Sequence, residues 1–212
     1  MPGQHQQVAR LFDFMLQGER LASDCAARQV KLFDDGPSRK FLDNQARQER
    51  VHAQVFKAGI GLVAPKGVSG TPGTNVLRRY YRLLDEALLQ GRRDESLLAM
   101  QVLLEGMGEI TLQHIDRGIV DRRLGFLFKR LRRIVIGQED AHHLFGVKRL
   151  ARETGVSGPS PQLRARSQDY LQLIEELILS TAGLFADFDE DPQQYLDEFY
   201  RDLPKWLERP GQ

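Results

Sequence analysis

Two segments of the chain place the same unusual demand on any fold. Gln48-Glu49-Arg50-Val51-His52 and Gln138-Glu139-Asp140-Ala141-His142 both read Gln-Glu-x-x-His, 90 residues apart. Residues three apart share one face of a helix. In both segments that face is the apolar one. Leu42, Gln45, Glu49, His52 and Phe56 form one stripe; Leu124, Phe128, Leu131, Val135, Glu139, His142 and Phe145 form the other. A buried carboxylate beside a buried imidazole costs several kcal/mol unless it is paired or binds a metal. Thirteen glutamates and five histidines scattered over 212 residues give roughly 0.3 Glu-x-x-His pairs by chance. A metal-free cluster of Glu–Arg pairs is the plainer alternative.

The rest of the chain supplies a helical frame. Apolar residues recur at three- and four-residue steps, and strand-like alternation is scarce. The first helix is expected over about 6–33, with Val8, Phe12, Met15, Glu19, Ala22, Ala26 and Val30 on its stripe. Asp34-Asp35-Gly36-Pro37 stops it, and Ser38 is the expected cap of a second helix ending near Gly59. Residues 59–74 read as a loop. Further helices are expected over about 75–90, 94–117, 122–153 and 162–184, with turns at Gly91, 118–121 and 155–161. An acidic tail interrupted by Pro192 and Pro204 follows. The layout describes an all-α chain, an antiparallel four-helix bundle with one long crossover and extra helices in the crossover and at the C-terminus. It reads as one domain over 1–212, with the bundle core at about 6–153 and a helical extension at about 162–208.

Each motif helix follows a helix that can offer a further carboxylate. Glu19 lies 30 residues before Glu49, with the turn midway, so the two fall at similar heights. Glu105 and Glu109 lie 34 and 30 residues before Glu139 and share one face, so both are candidates. Four carboxylates neutralise two divalent ions, and two imidazoles add neutral ligands. Such a hard donor set suits Fe or Mn better than Zn.

With these residues in place, the chain resembles the ferritin-like di-iron carboxylate superfamily over about residues 6–153. The resemblance implies a metal site of Glu19, Glu49, His52, Glu105, Glu139 and His142. Glu19 would bind one metal terminally, Glu49 and Glu139 would bridge or chelate, and each histidine would hold one iron. Leu104-Glu105-Gly106 is similar to the family's third-helix context, which favours Glu105; the 90-residue offset that aligns Gly18-Glu19 with Gly108-Glu109 favours Glu109. The implied cofactor is two Fe ions, with Mn or mixed Mn/Fe as the variant. Both motifs are intact, which speaks against mineral storage. Phe56 occupies the place where a radical tyrosine would stand, and Gln138 replaces the Asp found before the second-motif Glu in radical-forming relatives. The expected activity is that of an O2-activating oxygenase or oxidase on a small organic substrate, served by an electron donor or reductase. Ferroxidase, peroxidase or manganese-catalase-like chemistry is the alternative, and a metal-free helical interaction protein the third reading.

Composition narrows the partners. Thirty basic residues against 29 acidic ones leave a net charge of +1, so nucleic-acid binding is not expected. The run Arg122, Arg123, Lys129, Arg130, Arg132 and Arg133 reads as a solvated face, with docking of an acidic partner as the alternative. Cys25 is the only cysteine, which excludes an internal disulfide and a Cys-x-x-Cys metal site. No leader pattern and no long apolar run occur, so a cytoplasmic protein without a membrane span is expected. The acidic, aromatic C-terminal stretch is expected to pack on the bundle or to mediate a homodimer. His114 is expected to face solvent or to partner a helix terminus. His143 points about 100° from His142 and reads as a supporting or surface residue paired with Asp140. Gly106 and Gly108 either make room for oxygen, substrate or a shifting carboxylate, or allow close packing.

Overall fold

In a computed structural model, the protein is described at residues 2–119, 125–185, 191–207 and 209; at 2–4, 115–119, 125–133 and 185 only the backbone is considered. Every regular element among the described residues is helical, and no strand occurs among them. None of these helices is long and apolar enough to cross a membrane. The chain divides into two compact units.

The first unit is a helical hairpin with an added helix. α1 (Pro2–Gln29) runs through a short 3-10 turn, Val30–Leu32, into α2 (Gly36–Val63), and α3 (Thr74–Leu89) follows. Residues 180–184 also belong to this unit. The hairpin is antiparallel. Ser23 Oγ donates to the Ala46 carbonyl at 2.9 Å near the turn, and Phe12 meets Phe56 with ring centroids 5.9 Å apart towards the open end. The stripe read from the sequence is the buried one, with Met15, Glu19, Ala22 and Ala26 on α1 and Leu42, Gln45, Glu49 and His52 on α2. Cys25 is buried, a small apolar residue in this core.

Two expectations about α2 are corrected. The cap is Asp35, whose carboxylate accepts from the Ser38 N–H at 2.8 Å. Ser38 itself is already inside the helix and buried. Gly36-Pro37 opens α2 rather than merely ending α1, because proline's missing N–H costs nothing in the first turn. Nor does Gly59 end the helix. A Cβ there would lie 2.9 Å from the Phe12 ring, so Gly59 serves helix–helix approach and the helix continues to Val63.

The second unit contains most of α4 (Arg93–Leu97), a π-helical stretch (Leu98–Leu104), α5 (Glu105–Ile119), α6 (Gly125–Thr154), most of α7 (Pro161–Phe185) and α8 (Pro192–Asp202). α5 and α6 are antiparallel, with Gly106 against His143 and Gly108 near Glu139. The π stretch is invisible to a 3.6-residue periodicity. All seven of its residues are buried, and the Glu105 N–H reaches back five residues to the Met100 carbonyl. Pro192 begins α8 instead of interrupting a tail, with Asp191 capping the Gln193 N–H at 2.9 Å. α8 packs on α5, with Tyr195 stacked on His114 and Tyr195, Leu196 and Phe199 all buried. The turn at 120–121, the basic run Arg122 to Arg133 and the stripe residues Leu124, Phe128 and Leu131 fall outside the described residues and side chains.

Candidate metal centre

Each unit gathers one group of two carboxylates and one imidazole. In the first, Glu19 comes from α1, and Glu49 and His52 come from α2. His52 Nδ1 lies 2.9 Å from Glu49 Oε2 and 3.3 Å from Glu19 Oε2. Their side chains are between 0% and 7% exposed, too deep for solvent to screen the charges. One potential ligand atom from each residue lies within 4.8 Å of the other two, so the group could hold a metal ion. The local cause is the pairing of i, i+3 geometry on α2 with the hairpin register, which brings Glu19 alongside.

The second unit repeats the pattern with Glu105 at the start of α5 and Glu139 and His142 on α6. These too offer ligand atoms within 4.8 Å of one another, and all three are buried. His142 Nδ1 is 3.8 Å from Glu105 Oε2, a looser approach than in the first group. Glu105 follows directly on the π stretch. The wide turn lets α5 begin with its first side chain inside the core.

Glu109, the other third-helix candidate, stands apart. It is half-buried, and its Oε1 accepts from Gln113 Nε2 at 2.8 Å. Burial raises its carboxyl above the ordinary value, and Asp140, Asp202 and Glu139 push in the same direction. Gly108 leaves open space beside this group: a Cβ there would come no nearer to it than 4.0 Å, at Glu139 Oε2. Gly106 does the opposite. A Cβ there would lie 2.9 Å from His143 Nδ1, so it is the close-packing glycine of the two.

His114 and His143 each meet a partner from elsewhere in the chain. His114 is buried rather than solvent-facing. Its Nε2 is 2.8 Å from Glu198 Oε2, and its ring stacks on Tyr195 at 4.1 Å, tying α5 to α8. His143 meets the Gln101 carbonyl through Nδ1 at 3.2 Å, a partner that sequence spacing did not suggest. Burial lowers its pKa below the usual imidazole value. A second buried polar pair has no signature in the sequence: Tyr170 on α7 donates to Glu95 Oε1 at 3.0 Å, with both residues nearly solvent-free. No local pattern marks it, since 75 residues separate the two.

No protein-family model and no curated protein matches the chain. The described residues are all-helical in their regular structure and bring together buried Glu/His groups that could hold a metal ion.

Proposed function

We propose that this chain is a ferritin-like, non-haem dinuclear oxidoreductase that holds two iron ions, or manganese in their place, and uses O2 to oxidise a small organic substrate. The observation that carries the reading is the repetition of one donor set, Glu with Glu-x-x-His, in each of the two units. The residues fit such a cofactor. Two carboxylates per group balance one divalent charge, the imidazole adds a neutral donor, and oxygen-rich sets suit iron and manganese. Burial makes the same groups costly without a cation, because carboxylates removed from water repel one another.

When bound, a redox-active metal pair supplies the electrons that activate O2. The chain's own residues have simpler tasks. Glu19, Glu49, Glu105 and Glu139 would offer carboxylate oxygens to the ions away from water. His52 presents Nδ1 to Glu49 and Glu19, which orients its ring, while His142 Nδ1 approaches Glu105 only to 3.8 Å. Gly108 leaves room beside Glu139 for its carboxylate to move.

Metal analysis of protein made with iron and manganese both supplied tests the reading. The expected result is about two metal ions per wild-type chain and close to none in the Glu49→Ala, Glu139→Ala double variant. Equal metal content in the two proteins overturns it. O2 uptake that needs only Fe(II), or peroxide turnover with no organic substrate, would replace oxygenase chemistry with metal or peroxide handling.

A further inference from the structure

A cavity of about 450 Å³ lies among α5, α6 and α8 of the second unit. It stands in a regular relation to Glu105, Glu139 and His142. Gly106, Asp140 and His143 line it, and each is the next residue after one of those three. One residue turns a helix by about 100°. The cavity therefore follows the faces adjacent to those that carry the candidate ligands. Gly106 keeps this wall low, because any side chain there would strike His143.

The lining has two characters. Ile110, Phe199 and Leu203 provide buried apolar surface. Glu109, Asp140, Glu198 and Asp202 bring four carboxylates, against which Arg201 is the one Lys or Arg among the lining residues. His114 Nε2 lies 2.8 Å from Glu198 Oε2, and Gln113 donates to Glu109. The volume falls in the range of small-molecule sites, roughly 300–1,000 Å³. A mainly polar, acidic lining with a smaller apolar patch selects a ligand with a cationic end and a short hydrocarbon body. An anion would be repelled, and a neutral alcohol could donate a hydrogen bond to a carboxylate but would lack the charge attraction.

We propose that this cavity binds a small aliphatic amine in its protonated form, with the alkyl chain against Ile110, Phe199 and Leu203 and the ammonium among the carboxylates. Resting on the function proposed above, this makes a protonated amine the class of the organic substrate. The binding itself does not depend on that function.

Titration calorimetry on the full chain made with iron, with metal content measured on the same sample, separates the two ideas. The probes are 1,4-diaminobutane, 1,4-butanediol and magnesium chloride. The diamine is expected to bind and the diol not to. Glu109→Gln with Asp202→Asn should weaken diamine binding at least tenfold. Arg201→Gln should tighten it several-fold, a gain that a damaged fold cannot produce. Circular dichroism melting verifies that each variant is folded. No diamine binding, equal binding of the diol, binding of magnesium alone, or an unchanged affinity in both variants overturns the inference. Metal-loaded protein that ignores the diamine leaves the metal centre standing and removes only the amine. Diamine binding by a chain that takes up no metal does the reverse.

Discussion

His52 Nδ1 sits 2.9 Å from Glu49 Oε2, one helical turn along the same helix, with both side chains closed off from solvent. Such a pair is stable when a proton or a metal ion lies among the donors. It is costly otherwise, because truncating one partner leaves the other charge buried. His52→Ala and His142→Ala should therefore each lower metal content by about one ion per chain, as measured by mass spectrometry of the purified protein. Retention of full metal content in both would show that the imidazoles are not ligands.

Glycines on α6 give a paired test of packing. Gly137 has open space where a side chain would go, whereas a Cβ on Gly146 would overlap Gln101 Cβ and lie 2.9 Å from that residue's backbone carbonyl carbon. Gly137→Ala should stabilise by up to about 1 kcal/mol through helix propensity. Gly146→Ala should destabilise by about 1–3 kcal/mol, because the backbone of the π stretch cannot move aside as a side-chain tip can. Urea unfolding midpoints would distinguish them, and stabilisation by Gly146→Ala would contradict the packing.

His114 joins α5 to α8 by a 2.8 Å contact with Glu198 and by stacking on Tyr195. His114→Ala removes both and leaves a hole in a buried site. A loss of about 2 kcal/mol is expected, together with faster protease cleavage within α8 than elsewhere. Uniform cleavage along the chain would mean that α8 does not depend on this histidine.

Tyr81 offers a pH test remote from the candidate ligands. Burial, and then its 2.6 Å hydrogen bond to Asp24, push its hydroxyl up to about 12. The folded state thus holds the phenol proton more tightly than the unfolded chain. That contribution is complete below about pH 10 and is lost as pH rises through about 12. Tyr81→Phe should cost about 1 kcal/mol at pH 7 and flatten this part of the alkaline stability profile. Thermal melts between pH 8 and 12 would check the slope. An unchanged profile in the variant would assign the alkaline loss to other groups.

The sequence by itself determined that the chain is helical and which residues share each buried face. It also placed Glu19 level with Glu49 and His52, and put Glu139 and His142 on one face. The reason is that i, i+3 geometry is local, and a hairpin turn midway between Glu19 and Glu49 fixes their heights. Other features were decided only by tertiary structure. Glu105 and Glu109 lie one turn apart on one face, so spacing alone could not separate them. Depth does: Glu105 enters the core on leaving the π stretch, while Glu109 stops half-buried beside Asp140. The π stretch follows no 3.6-residue pattern, and its close approach to Gly146 depends on a helix some 45 residues further along the chain. His114 lies near the end of its helix, a place that in sequence reads as solvent-facing or as a partner of the helix terminus. It is buried by Tyr195 and Glu198, which reach it only once α8 has docked.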